Sequence, residues 1–179
     1  MNTLIMPKYL LLDLDNTAYA YEACHNRGLT AAHGIARSLA KAWQTDSAFH
    51  AAYAEARRTV KARVGKHATA HCRLHYFKEL LDSLGQGSHF EALSQLHDAY
   101  WRGYFEAMRR DEDCLEVLTA CRATGMKLVW VTNFTTERQI LKLQALGLTE
   151  ITDGLITSEE AGAEKPDPQE FFPSERMIV

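Results

Sequence analysis

Two hydrophobic patterns alternate along the chain, and each predicts a different kind of element. Short apolar runs predict strands, the first of them buried on both faces of a parallel sheet. These runs lie at 9–12, 126–131, 154–157 and 177–179. Between them, apolar residues recur every three or four positions, which predicts helices at 114–122 and 135–146, the latter with Ile140, Leu143 and Leu146 on its apolar face. Strands alternating with helices predict an α/β fold.

The stretch between Tyr19 and Arg110 has helical spacing throughout and contains no proline. It predicts four amphipathic helices, because residues that commonly cap helices precede each apolar series. The predicted starts are Thr30, Asp46, Thr69 and Ser88, and the predicted stops of the second and third helices are Gly65 and Gly85. Such helices bury their apolar faces against one another, so a small bundle is expected. Since the bundle is inserted after the first strand, we expect it to lie as a lid over the carboxyl edge of the sheet.

Composition narrows the class of protein. With 179 residues, 46% hydrophobic and 24% charged, the chain has room for one core with a helical insertion. A net charge of −3 gives no support to nucleic-acid binding. No signal peptide or run of transmembrane length is found, and the cysteines form no C-x-x-C pair, so a cytoplasmic setting without membrane contact is expected. The cysteines are Cys24, Cys72, Cys114 and Cys121.

Polar residues follow the predicted strands at three places. Asp13 and Asp15 come directly after the first strand, and alternation along an extended chain places both carboxylates on one side. Thr132 and Asn133 end the second long strand, and Lys165 lies in a loop after the third. The carboxyl edge of an open α/β sheet is where ligands bind, so a site is expected there. The alternative for the first motif is a solvated turn rich in aspartate.

These three motifs together resemble the haloacid dehalogenase superfamily. Its signatures are D-x-D-x-T, a Thr or Ser at a strand end, and a lysine in a loop, which match Leu11–Thr17, Val129–Asn133 and Ser158–Pro168. The resemblance implies a three-layer, Rossmann-like α/β core with a parallel sheet, formed by 1–18 and 111–179. It also implies that 19–110 is the inserted helical cap found in the phosphatase-rich subclass.

The resemblance implies a Mg²⁺-dependent phosphomonoester hydrolase that works through an aspartyl-phosphate intermediate. Asp13 is then the nucleophile, Asp15 the general acid and base, and Lys165 the cation that offsets the negative charge. The Asp13 carboxylate and the Asp15 backbone carbonyl are the expected Mg²⁺ ligands. The expected substrate-binding residues are Thr17, Thr132, Asn133 and Lys165. The implied partner is a small phosphorylated metabolite.

Several alternatives of reaction and substrate stay open. Asp15 favours phosphate chemistry over removal of halide from carbon, because dehalogenation needs no acid at that position. A phosphomutase would keep both aspartates, so that reaction remains a minor alternative. The segment D-L-D-N-T followed by Tyr19 is loosely similar to a pattern common in the pyrimidine 5′-nucleotidase branch. That pattern has Leu and Pro at the two positions that Ala18 and Ala20 occupy here. Both a nucleotide and a sugar phosphate therefore remain candidates.

The chain departs from the family pattern near its C-terminal end. The fourth signature, an acidic G-D-x-x-x-D that supplies another Mg²⁺ carboxylate, is not found after 177–179, and the usual helix before that strand is replaced by 169–176. The C-terminal part of the core is therefore expected to be missing. A protein of only these residues is expected to be a weak or inactive phosphatase, and a non-catalytic binding or regulatory protein on the same fold is the alternative.

Two further clusters invite a functional interpretation. His67, His71 and His75 have a spacing compatible with metal ligands on one predicted helix, although a surface or cap-interface role is favoured. Aromatic residues crowd one predicted helix end, where bundle core is favoured over a platform for a substrate base. They are Tyr100, Trp101, Tyr104 and Phe105.

Overall fold

The structure is a computed structural model that describes residues 7–85 and 89–168. The described chain divides into two compact units. One unit combines the segment up to Ala20 with the segment from Arg109 onward, and the other is Tyr21–Met108. The predicted helix start at Ser88, the predicted strand at 177–179 and the expected departures at 169–176 lie outside the described residues.

Three parallel strands form the sheet of the first unit within the described ranges, and they confirm the predicted α/β class. They are β1 (Tyr9–Leu12), β2 (Lys127–Thr132) and β3 (Gly154–Thr157), in the order β1-β2-β3. Leu12 pairs with Trp130, and Thr132 pairs with Thr157. Because all three strands run the same way, the residues that follow them emerge at one edge of the sheet.

The prediction that the first strand is buried on both faces is wrong. Tyr9 is 39% and Leu11 42% exposed, whereas β2 is buried from Leu128 to Thr132. Alternation places Tyr9 and Leu11 on the same face of β1, and within the described chain that face is only partly covered. The central strand β2, with neighbours on both sides, instead carries the buried cluster of Val129 and Val131 with Ile156 on β3.

The described residues form seven α-helices and three short 3₁₀ helices. The α-helices are α1 (Tyr21–Leu39), α2 (Asp46–Val64), α3 (Arg73–Asp82), α4 (Phe90–Ala107), α5 (Glu112–Ala123), α6 (Thr136–Ala145) and α7 (Ser158–Ala161). The 3₁₀ helices are Lys41–Trp43, Ala68–His71 and Thr149–Ile151. Over the ranges that the structure describes, no helix has both the length and the apolar character needed to cross a membrane.

Helix starts in the second unit correct the predictions. Thr30 does not cap a helix but lies inside α1, where its hydroxyl donates to the Asn26 carbonyl at 3.0 Å. Thr45, not Asp46, caps α2, since its side chain accepts from the Ala48 amide at 3.3 Å. Gly65 ends α2 as predicted, with φ at 72°.

The region around Thr69 also differs from its prediction. Thr69 lies within the 3₁₀ helix Ala68–His71, and α3 begins after Cys72. His67 precedes this 3₁₀ helix, His71 ends it and His75 lies in α3. The three histidines therefore do not share one helix, and the spacing argument for a metal site fails.

The core of the second unit is aromatic. Tyr100, Trp101 and Tyr104 on α4 are at most 5% exposed, which confirms the interpretation as bundle core for these three residues, whereas Phe105 is half-buried. Arg73 on α3 is 7% exposed, and its guanidinium donates to the Tyr21 hydroxyl at 2.7 Å and the His71 carbonyl at 2.5 Å. These hydrogen bonds allow a charged group to lie in an aromatic core. Nearby, burial lowers the pKa of His25 to about 4, with a further contribution from Arg73.

Candidate active site

The turn after β1 leaves the side chain of Asp13 more exposed to solvent than the side chain of Asp15. Leu14 is completely buried, and its carbonyl accepts from the amides of Thr17 at 3.3 Å and Ala18 at 3.0 Å. Asn16 takes the left-handed conformation, with φ at 61°, which asparagine tolerates better than most residues. The turn leaves the Asp13 side chain 46% exposed and the Asp15 side chain 31% exposed.

Lys165 reaches the end of β1 from the loop after α7. Its Nζ donates to Asp13 Oδ1 at 2.5 Å and to the Val131 carbonyl at 2.8 Å. Its backbone amide donates to Asn133 Oδ1 at 2.9 Å. The strand pairing explains this convergence, because Asp13 follows Leu12, whose partner Trp130 precedes Val131. A lysine ammonium in this position offsets charge on the Asp13 carboxylate.

The end of β2 is held by α6. Thr132 is 1% exposed, and Gln139 is fully buried. Gln139 Nε2 donates to Thr132 Oγ1 at 2.7 Å and to the Asn133 carbonyl at 2.8 Å. Thr132 Oγ1 accepts from Gln139, so its own proton is left to donate, and in this structure the hydroxyl donates to the Asn133 carbonyl at a long 3.5 Å.

Asp15 is held by two side chains that the sequence interpretation missed. Lys142 Nζ on α6 donates to Asp15 Oδ1 at 2.6 Å, and the Tyr19 hydroxyl donates to the same oxygen. Lys142 is 2% and Tyr19 3% exposed. The Lys142 ammonium also lies 5.8 Å from the ring centroids of Tyr19 and Phe134, a distance typical of cation–π contact.

The buried face of α6 explains why these residues were missed. The predicted apolar face contained Ile140, but Ile140 is 41% exposed, whereas Gln139 and Lys142 are buried beside Leu143. Residues three and four apart share a helix face, so Gln139, Lys142 and Leu143 satisfy the helical period as well as the predicted set does. The sequence signal that could have identified Gln139 and Lys142 is this spacing, which places both polar residues on the helix face that packs against the strand ends.

The structure thus brings together most of the predicted site residues. Asp13 and Lys165 are in direct contact, and Thr132 lies one residue past Val131, whose carbonyl Lys165 contacts. Asn133 holds the backbone of Lys165 through its side chain, and Thr17 is exposed in the turn after β1. Substrate contact by Thr17 and Asn133 stays a prediction.

The donor set is compatible with a hard cation. Within 7–85 and 89–168, no group of three or more His, Cys, Asp or Glu side chains could hold a metal ion. Mg²⁺ is commonly held in another way, by one or two carboxylates together with water and substrate phosphate oxygens. The exposed Asp13 carboxylate and the Asp15 backbone carbonyl are both oxygen donors. These two residues therefore fit the way in which proteins commonly hold Mg²⁺.

A family model and the sequences of individual relatives assign the chain to the same protein family. The model of the haloacid dehalogenase-like hydrolases matches residues 7–172. The chain is 40% identical over 162 residues to a ribulose-1,5-bisphosphate 5-phosphatase of Halopiger xanaduensis, covering 90% of this chain and 67% of that protein. It is 28% identical over 178 residues to a glyceraldehyde 3-phosphate phosphatase of Methanopyrus kandleri, covering 97% of this chain and 71% of the relative.

Solved structures with the same fold belong to this family as well. The HAD-hydrolase YfnB of Bacillus subtilis, bound to magnesium, matches with a TM-score of 0.66 and 18% identity, over 96% of this chain and 75% of that chain. A HAD phosphatase of Thermococcus onnurineus matches with a TM-score of 0.61 and 24% identity, over 94% and 70%. The protein described here belongs to the haloacid dehalogenase-like hydrolases.

Proposed function

We propose that this hydrolase is a Mg²⁺-dependent phosphomonoesterase that acts on a small phosphorylated sugar. The observation that carries the proposal is the contact of Lys165 Nζ with Asp13 Oδ1 at the end of β1. A lysine fixed against an exposed carboxylate suits a nucleophile that attacks a dianionic phosphate, because the ammonium offsets the negative charges brought together.

The reaction divides into two displacements at phosphorus. In the first, an Asp13 oxygen forms a bond to phosphorus, the bond from phosphorus to the sugar oxygen breaks, and Asp15 gives a proton to that oxygen. In the second, Asp15 takes a proton from water, the water oxygen attacks phosphorus, and the bond to Asp13 breaks. Thr132, with its hydroxyl oriented by Gln139, donates to a phosphate oxygen in both.

Mg²⁺ would be held by the Asp13 carboxylate and the Asp15 backbone carbonyl. When bound, it supplies neutralisation of the phosphate charge and orients the transferring group. The residues of the chain supply the rest: the nucleophile, the proton donor, the Thr132 hydroxyl and the fixed Lys165 ammonium.

The proposed substrate class rests on the two relatives of known activity. One is named a phosphatase of ribulose 1,5-bisphosphate and the other a phosphatase of glyceraldehyde 3-phosphate, so both act on phosphorylated sugars. These names favour a sugar phosphate over a nucleotide among the two classes that the sequence left open.

A panel of phosphomonoesters tests the proposal. Phosphate release from triose, pentose and pentulose phosphates, nucleoside 5′-monophosphates and p-nitrophenyl phosphate is measured with and without Mg²⁺. We expect turnover that requires Mg²⁺, and a kcat/KM at least about tenfold higher for a sugar phosphate than for any nucleotide, a difference of about 1.4 kcal/mol in transition-state binding.

Asp13→Asn is the matched variant, because it keeps the shape of the side chain and removes the nucleophile. It should abolish release of phosphate from every member of the panel. Asp113→Asn, at an exposed aspartate in the first turn of α5, is the control and should retain turnover. Unchanged activity in Asp13→Asn, or a preference for nucleotides, would contradict the proposal.

A further inference from the structure

Lys142 lies on α6, well separated in sequence from the family motifs, yet its ammonium contacts the aspartate proposed as the proton donor. We propose that Lys142, together with Tyr19, is a positioning residue that fixes the Asp15 carboxylate for proton transfer. This inference rests on the proposed function, because it assigns a role within that reaction.

The first argument is the energetic cost of the arrangement. A lysine that is 2% exposed gives up most of its hydration, and an ion pair with Asp15 repays that cost only in good geometry. A well-packed apolar residue of similar volume commonly serves stability equally well or better. The pair therefore has little value for folding alone, which directs attention to its place beside the reacting groups.

The second argument is the convergence of two donors on one oxygen. The Lys142 ammonium at 2.6 Å and the Tyr19 hydroxyl both donate to Asp15 Oδ1. Together they fix the orientation of the Asp15 carboxylate. General acid catalysis requires the acid to lie within hydrogen-bond reach of the leaving oxygen. A carboxylate held in one orientation occupies that reactive geometry more of the time.

The third argument is the rigidity of the elements that supply the donors. Lys142 is anchored in α6 beside the buried Leu143, and Tyr19 is anchored by β-bridges to Asp15 and Arg110. The Ala18 carbonyl next to Tyr19 accepts from the Asp111 amide at 2.9 Å. Both donors are therefore fixed by backbone hydrogen bonds that do not involve Asp15 side-chain atoms.

The test compares two esters that differ in their need for an acid. Departure of p-nitrophenolate needs little protonation, whereas departure of a sugar alkoxide needs a proton from Asp15. We measure kcat/KM for p-nitrophenyl phosphate and for the sugar phosphate that the wild type hydrolyses fastest, because kcat/KM reports the step in which the leaving group departs. Lys142→Met should lower it about 100-fold for the sugar phosphate and less than about tenfold for the aryl ester.

Two further variants make the result specific. Tyr19→Phe removes only the second donor and should shift the ratio of the two kcat/KM values in the same direction by a smaller factor. Lys127→Met removes an exposed lysine from β2 in the same unit and should leave the ratio unchanged. Circular dichroism checks the fold of each variant, and Tyr19→Phe carries the test if Lys142→Met does not fold.

The outcomes separate the two proposals. Equal losses on both esters, or no loss, in a folded Lys142→Met or Tyr19→Phe protein would overturn the positioning role while leaving the phosphatase proposal intact. A wild-type protein that hydrolyses neither ester would overturn the proposed function, and the positioning role with it.

Discussion

Buried polar side chains around the site have partners that are themselves proposed to act on phosphate. Gln139 is fully buried and donates to Thr132, and Lys142 is 2% exposed and donates to Asp15. A buried polar group without a hydrogen bond costs about 1–3 kcal/mol in mutational measurements. The hydrogen bonds donated by Gln139 Nε2 and Lys142 Nζ therefore also determine the orientation of the side chains at the strand ends, while Gln139 Oε1 is buried without a hydrogen-bond partner among the described residues.

Gln139→Leu tests this coupling at Thr132. Leucine keeps most of the volume of the side chain but removes the donor to Thr132 Oγ1, so the hydroxyl loses its fixed orientation. We expect kcat/KM for the preferred substrate to fall about fivefold to 150-fold, the range that corresponds to about 1–3 kcal/mol for a buried group that loses its hydrogen-bond partner. Phosphate release measured over a range of substrate concentrations gives this value.

Gln144→Leu on the same helix is the control for that experiment, because Gln144 is exposed and α6 is otherwise unchanged. It should match the wild type. A folded Gln139→Leu protein with wild-type kcat/KM would show that the Thr132 hydroxyl needs no support from Gln139.

Individual site residues were predictable to different degrees. The family motifs predict that Asp13 and Lys165 act together, and the structure places the two side chains in contact. Lys142 was not predictable, because a lysine in a helix is by default solvent-exposed. Its burial depends on which of two overlapping faces of α6 packs on the sheet, and helical period alone does not distinguish them.

Among the helices, the contact between α1 and α4 depends on two glycines. A Cβ on Gly28 would lie 2.8 Å from the Tyr100 carbonyl oxygen, and a Cβ on Gly103 would lie 2.8 Å from the Arg27 carbonyl oxygen. Both distances are too short for a methyl group, so the two helices approach more closely than larger residues would allow. The aromatic core of the second unit is built on this close approach.

Gly28→Ala should therefore destabilise the protein. The added methyl group meets backbone as well as the Tyr100 ring, so the helices have to separate, and overpacking of this kind costs about 1–3 kcal/mol. Gly34→Ala is the matched control on α1, since a Cβ there has no neighbour within 4 Å. It should raise the free energy of unfolding by about 0.5–1 kcal/mol through helix propensity.

Urea unfolding of the two variants and the wild type measures these differences. Equal effects of the two substitutions would contradict the proposed close packing at Gly28, because propensity alone would then account for both.

Among the secondary-structure elements, the sequence predicts the strands more accurately than the first residues of the helices. The third strand was predicted at its observed bounds, since Gly154 and the following residues form a short apolar run. The predicted cap at Thr30 is wrong because capping residues also occur inside helices, where the threonine hydroxyl donates to the carbonyl four residues earlier. The His67–His75 region contains two short helices, which a single helical period does not reveal.

For the molecule as a whole, the chain leaves and re-enters the first unit at one place. Tyr19 and Arg110 form an antiparallel bridge, and the Asp111 amide donates to the Ala18 carbonyl. A compact insertion joined in this way leaves the parallel sheet undisturbed. It also explains why Tyr19, the last residue but one before the second unit, lies beside Asp15.

The most direct test of the central claim is capture of the phosphorylated nucleophile. The protein is mixed with its best sugar phosphate and Mg²⁺, quenched in acid and treated with borohydride, which reduces an aspartyl phosphate to homoserine. Mass spectrometry of the peptide containing Asp13 should show that this side chain alone has been reduced, and only when substrate was present. Release of phosphate with no reduction at Asp13, or with reduction at another residue, would contradict the account.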